Sequence, residues 1–115
     1  KYAGSYIKNV FFVDGFFHSS KKEIVKKFVS DYEELYGEKP GLLEALGYDS
    51  AKLIFSAIAK GKKRKKDIQK YLRNIRNFEG VTGRIKGIKN NDFVRELYLL
   101  KFRKGIIREV DMIYP

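Results

Sequence analysis

The sequence has no cysteine, one histidine, one methionine and two prolines. The missing cysteines exclude a disulfide scaffold, a thiolate zinc site and a cysteine nucleophile, and they fit any redox compartment. With His18 alone, neither a Ser-His-Asp triad nor a multi-histidine metal site can be assembled. No apolar run approaches the roughly 20 residues of a membrane-spanning helix, and no signal-peptide pattern is read in these residues. Acids are scarce as well: Asp plus Glu is 14 against 25 for Lys plus Arg, a formal net charge of +11. Bulk is plentiful. Phe 9, Tyr 8 and 43% hydrophobic residues in a chain of 115 suit one domain with a modest core and exclude a disordered chain. The chain opens Lys1-Tyr2-Ala3 and its methionine is Met112, so it is expected to be a processed chain or a piece of a longer one.

The positive charge is concentrated. Lys60, Lys62, Lys63, Arg64, Lys65, Lys66, Lys70, Arg73 and Arg76 face only Asp67, so residues 60–76 carry most of the +11. Such a run reads either as a phosphate-binding patch for nucleic acid or an anionic surface, or as a solvated loop and helix start. Few aromatics or side-chain amides interleave with it, and readers of single strands need stacking platforms beside the charge. Nucleic acid is therefore the disfavoured partner.

Asn9-Val10-Phe11-Phe12-Val13 reads as a buried strand closed by a turn at Asp14-Gly15. Phe16 and Phe17 are too apolar for a free loop, so they pack on the next helix or line a cleft. Ser20-Lys21-Lys22-Glu23 has the form of a capping box. Ile24, Val25, Phe28, Val29, Tyr32, Leu35 and Tyr36 then trace one helical face that ends at Gly37, with Pro40 beyond. Leu42 to Lys60 predicts a helix apolar nearly all round, hence buried between layers, with Gly47 inside it where a neighbouring backbone comes close. Ile68, Tyr71, Leu72 and Ile75 predict a third helix over Lys66–Asn77, its basic residues facing water. Phe78 to Gly83 reads as a turn, Arg84–Ile88 as a short strand and Lys89–Asp92 as a turn. Leu97–Phe102 and Ile106–Val110 flank a hairpin loop at Arg103-Lys104-Gly105. The predicted order is β-α-α-α-β-β-β.

Catalytic chemistry finds little purchase. His18 with Ser19 and Ser20 reads as a surface segment before a helix. Asp14, Asp49 and Asp92 are isolated in sequence and form no paired-carboxylate pattern. Gly80-Val81-Thr82-Gly83 lacks the lysine and following helix of a phosphate loop. No enzymatic activity, no metal site and no cofactor are expected.

Several segments are informative together. Phe11-Phe12-Val13-Asp14-Gly15-Phe16-Phe17 precedes a helix carrying Phe28-Val29, Tyr32, Tyr36-Gly37 and Pro40. Ala45-Leu46-Gly47-Tyr48-Asp49-Ser50-Ala51 follows in the second helix, then Phe78-Glu79-Gly80-Val81-Thr82-Gly83-Arg84-Ile85, Leu97-Tyr98-Leu99-Leu100 and the Gly105 hairpin. In content and order, from about residue 8 to residue 110, this resembles the C-terminal third of type I periplasmic substrate-binding proteins of the branched-chain amino acid (Leu/Ile/Val) receptor family, which serve ABC transporters.

The resemblance implies an α/β fold: a fragment of a bilobed, Rossmann-like three-layer clamshell whose lobes are parallel sheets flanked by helices. It implies capture of a small ligand, amino acid-like, by hinge closure, for a membrane permease. It places residues 1–14 as a strand leaving the second lobe, with the hinge at Asp14 and Gly15. Residues 15–95 would complete the first lobe and 96–115 return to the second. Carried over by position, the ligand is approached by Asp14, Phe16, Phe17, Leu42 and Ala45, and a helix N-terminus near Leu42 suits a carboxylate. The location implied is periplasmic or extracellular, free or lipoprotein-anchored. The sequence departs from the family at Gly87-Ile88-Lys89-Asn90-Asn91-Asp92, where Phe-Asp and Gly-Asp are common, and in its heavier basic run. A piece of such a receptor would expose apolar surface and strand edges, so a homodimer or segment-swapped oligomer is expected.

Overall fold

A computed structural model describes residues 10–89 and 92–113 of the chain. Three helices and six strands follow one another as β1 (Val10–Asp14), α1 (Glu23–Tyr36), α2 (Leu42–Ala59), α3 (Lys65–Arg73), β2 (Phe78–Gly80), β3 (Gly83–Lys89), β4 (Asp92–Arg95), β5 (Leu97–Arg103) and β6 (Ile106–Ile113). The α/β class and the leading β-α-α-α are as expected. Two strands were not: β2 lies within the turn expected over 78–83, and β4 starts at the last residue of the turn expected at 89–92 and runs through residues given no element. Phe78–Gly80 pairs with β3 across a two-residue connection, Val81-Thr82, and Asp92–Arg95 pairs back on the other side of β3. The centre of the turn expected at 89–92, Asn90 and Asn91, lies outside the described residues, as does Asn9.

The strands form two three-stranded sheets, ordered β1-β5-β6 and β2-β3-β4. All four pairings are antiparallel, so the parallel arrangement implied for whole lobes is not formed among these strands. The Lys104-Gly105 loop has φ of 51° and 78°, the doubly left-handed geometry that suits the twist of a tight hairpin. Here the sequence reading holds.

Helix α1 ends as expected: Gly37 has φ 73° and its N–H donates to the Glu33 carbonyl at 2.8 Å. Its start differs. The helix begins at Glu23 with Lys22 as cap and no side-chain cap bond. The Ser20 hydroxyl instead donates to the Glu109 carboxylate of β6 and accepts from the Lys22 N–H at 3.3 Å. The hydroxyl hydrogen goes to a partner 89 residues away and the oxygen to an N–H two residues on, so the reciprocal pair with Glu23 is not formed.

The main core gathers Phe16, Phe17, Val25, Phe28, Val29, Ala45, Val81, Tyr98 and Leu100. Phe16 meets Phe28 edge to face at 5.9 Å. A second cluster of Leu53, Ile75 and Ile85, flanked by Tyr71, Leu72 and Phe78, holds α3 to α2 and β3. The α3 stripe is thus as expected, although the helix stops at Arg73 and Ile75 reaches the core from the following turn.

Two burial expectations are overturned. Helix α2 buries only Ala45, Asp49, Leu53 and Ala57, while Leu43 is 78% and Phe55 66% exposed. Nothing lies within 4 Å of the position a Gly47 side chain would take, so no backbone approaches there. Strand β1 turns Phe12 to the core but leaves Phe11 and Val13 exposed. The cause is the same in both cases: the described residues supply one covering layer, not two. The radius of gyration of 16.5 Å agrees, since a compact chain of this length is expected near ~13 Å.

Candidate functional site

Where β1 ends, the Asp14 carboxylate accepts from the N–H groups of Gly15 at 2.7 Å and Phe16 at 3.5 Å. This Asx turn fixes the bend by which the chain leaves the sheet. Asp14 is paired in register with Tyr98 of β5. The chain re-enters the same sheet at Leu97, immediately beside the point where it left. Both connections between the β1-β5-β6 sheet and the helical part therefore run next to each other.

The residues expected near a ligand are brought together around this crossing. Phe16, Phe17 and Ala45 are buried in one cluster. Leu42 is 41% exposed at the start of α2, and its Cδ1 sits 3.0 Å from where a Gly15 side chain would begin. Asp14 is exposed and Gly15 half-buried. At the α2 N-terminus, the Gly41 N–H already donates to the Glu44 carboxylate at 2.7 Å, a local cap that sequence reading did not single out. His18 is exposed beside Ser19, as expected. The basic residues do not join this group; they lie on α3 and the segments on either side of it.

Behind the crossing sits a polar arrangement that the linear sequence conceals. The Val81-Thr82 connection is fully buried, a costly place for a turn because its peptide groups lose water. Asp49, 2% exposed on α2, accepts from the Val81 N–H at 2.9 Å, the Thr82 N–H at 2.9 Å and the Thr82 hydroxyl at 2.5 Å. Tyr98 donates its hydroxyl to the Val81 carbonyl at 2.7 Å, and Arg95 donates to the Thr82 hydroxyl at 2.8 Å. Side chains from α2, β4 and β5 thereby satisfy one buried turn. The only advance signal was the pair of short motifs, Gly-Tyr-Asp and Gly-Val-Thr-Gly; nothing local says that they meet.

Burial pushes the Tyr98 hydroxyl well above the usual phenol range, and the Glu109 carboxylate adds to the shift. The folded value exceeds the unfolded one. The stabilisation is therefore present below about pH 10, where an unfolded tyrosine begins to ionise, and is lost as pH rises further. Urea denaturation at increasing alkaline pH should show this decline, and Tyr98→Phe should flatten it. The same substitution should cost about 1–2 kcal/mol at neutral pH, because the Val81 carbonyl loses its partner.

The chemistry available here is grip and positioning. Among the described residues no three His, Asp or Glu side chains come together to hold a metal ion, and no described helix is long and apolar enough to cross a membrane.

Comparison with known proteins agrees with this geometry. A family model for periplasmic binding proteins matches residues 1–105. No curated protein sequence gives a significant match. Among solved structures, the leucine binding protein LivK of Thermotoga maritima is 29% identical, with a TM-score of 0.68 over 97% of this chain and 33% of that one. LivJ of Streptococcus pneumoniae, a branched-chain amino acid substrate-binding protein in complex with isoleucine, is 30% identical, with a TM-score of 0.71 over 91% of this chain and 30% of its own. A solute-binding protein of an ABC transporter from Rhodopseudomonas palustris, bound to 3,4-dihydroxybenzoic acid, shares the fold at 22% identity and a TM-score of 0.75, over 93% of this chain and 31% of its own. The chain spans about a third of the length of these structures. Nothing in these matches supports nucleic-acid binding. By its sequence and by its fold, the chain belongs to the periplasmic binding protein family.

Proposed function

We propose that this chain is the hinge-bearing part of an extracytoplasmic solute receptor that captures a small ligand for an ABC importer by closing two lobes. Residues 1–14 and 96–115 belong to one lobe and 15–95 to the other. The observation that supports this reading best is the register of Asp14 opposite Tyr98. Two adjacent crossings let one unit swing against the other with few backbone torsions changing. Asp14 and Gly15 form the first hinge segment.

Asp14 and Leu42 contribute the exposed part of one wall of the ligand site, with Phe16, Phe17 and Ala45 buried behind them as its support. Leu42, half in solvent beside Gly15, is the member best placed to touch a solute. The ligand class is amino acid-like, in keeping with the leucine and isoleucine proteins above; the aromatic acid held by the Rhodopseudomonas protein is the second class to test. The permease of an importer is the membrane partner, and the receptor is periplasmic or extracellular, free or lipid-anchored. The exposed apolar side of α2 is covered by the remainder of the receptor, or by a second copy when the chain folds alone.

Calorimetry tests the reading. The whole receptor should take up leucine, isoleucine or a related small acid at one site per molecule. The 115-residue chain alone should bind the same solute at least tenfold more weakly, because the facing wall is absent. Tight one-to-one binding by the isolated chain would contradict a site shared between lobes.

A further inference from the structure

We propose that the basic face of residues 60–76 docks the receptor on an anionic phospholipid surface, which rests on the extracytoplasmic reading above. Helix α3 is held from beneath. Tyr71 and Leu72 pack on the cluster of Leu53, Ile75 and Ile85, and the Tyr71 hydroxyl shares a hydrogen bond of 2.6 Å with Ser56 of α2. That leaves the outer side fixed in place and dominated by charged side chains. Lys60, Lys63, Arg64, Lys65, Lys66, Lys70, Arg73 and Arg76 are all exposed, with Lys62 half-buried. None of them belongs to an ion pair among the described residues. Packing of α3 would need no such charge. Like charges gathered around a single acid, Asp67, repel one another and weaken the fold, a cost offset when a surface of opposite sign is met.

The composition of the face selects the partner. Most of its cations are lysines, compact point charges suited to a diffuse anionic plane, whereas planar bidentate recognition favours arginine. Its one aromatic, Tyr71, is half-buried, with its hydroxyl tied to Ser56 and one side on the cleft, so the face lacks the succession of stacking platforms that single-stranded bases need. A cleft of about 470 Å³, lined by Lys62, Lys70, Asn74 and Arg76 with Asp67 as its one acid and Tyr71 and Ile75 as its floor, gives the face a concavity with several donors. Polybasic segments gain free energy additively as their charges approach an anionic bilayer, and the gain fades within a Debye length.

Vesicle flotation of the chain tests this directly. Binding to vesicles containing about a third phosphatidylglycerol should be at least tenfold stronger than to pure phosphatidylcholine, and should fall at least tenfold between about 0.02 M and 0.3 M salt. A fourfold charge reversal, Lys63→Glu, Arg64→Glu, Lys65→Glu and Lys66→Glu, changes exposed positions only and should abolish the preference while leaving helicity intact. Equal binding to both lipids, or insensitivity to salt, would overturn the proposal on the native chain alone, whatever the variant does. So would vesicles left unbound while duplex DNA or an acidic protein is retained. Solute capture is measured separately without vesicles, so failure of either reading is told apart from failure of the other.

Discussion

Asp49→Ala should unfold this chain more readily than any other single truncation in α2, by about 3 kcal/mol or more. The carboxylate is the acceptor for two backbone N–H groups and a hydroxyl, all buried. Alanine leaves the Val81 and Thr82 N–H groups without partner and without water. Each buried, unsatisfied donor costs roughly 1–3 kcal/mol, and two are created at once. Small domains are stable by only about 5–15 kcal/mol, so the loss is a large share. Asp49→Asn should do less harm. Its carbonyl oxygen can still accept from both the Thr82 N–H and the Thr82 hydroxyl, while its amide nitrogen faces the Val81 N–H, donor against donor. In urea, the midpoint should shift strongly for Asp49→Ala and by about half as much for Asp49→Asn, with the slope unchanged. A shift worth less than ~1 kcal/mol for alanine would mean that the buried turn finds other partners.

Gly83→Ala should be strongly damaging. Gly83 has φ of 102°, outside the range that L side chains accept readily, and an added Cβ would lie 2.6 Å from the Glu96 carbonyl oxygen. That oxygen belongs to backbone held on both sides. The Glu96 N–H donates to the Arg84 carbonyl at 3.0 Å, and the Glu96 carboxylate accepts from the Arg84 N–H at 3.0 Å. The neighbour cannot give way without moving the connection from β4 to β5, which is the second proposed crossing between lobes. The conformational penalty alone is roughly 1–3 kcal/mol, and the clash adds to it. Gly61→Ala separates the two contributions. Gly61 has φ of 84° but nothing within 4 Å of its missing side chain, so only the conformational penalty of about 1 kcal/mol is expected. Thermal denaturation of the two variants should differ by several degrees, Gly83→Ala melting lower. Equal melting temperatures would show that the contact with Glu96 is relieved by a shift of the backbone.

What the sequence disclosed follows the reach of its signals. The helix α1, its Gly37 stop and the Lys104-Gly105 hairpin depend on residues a few positions apart, and all three form as read, although the end of the α1 stripe, Leu35 and Tyr36, is exposed. Ser20 shows the limit: its spacing to Glu23 fits a capping box, but its hydroxyl serves Glu109 across the fold. Asp49 looked isolated because its partners, Val81 and Thr82, lie 32 and 33 residues on. Periodicity also reports which face a helix can bury, not whether a partner is present. That is why α2 and β1 were read as buried and yet expose Leu43, Phe55, Phe11 and Val13. Strand β2 escapes a sequence reading because Glu79-Gly80 looks like part of a turn, and a buried Val81-Thr82 connection is a rare kind of turn; β4 is only four residues long and begins within the Asn-Asn-Asp turn signal. The candidate site was legible only as an ordered set of short motifs, since the pairing of Asp14 with Tyr98 spans most of the chain.

Hinge closure can be read as a distance. The chain has no cysteine of its own, so Glu34→Cys on α1 and Arg108→Cys on β6 introduce unique labelling sites in these residues, both exposed and on opposite sides of the Asp14–Gly15 crossing. Measured by paired spin labels in the whole receptor, their separation should change by more than about 2 Å when the solute is added to saturation. A separation that stays fixed while the solute is demonstrably bound would contradict capture by two moving lobes.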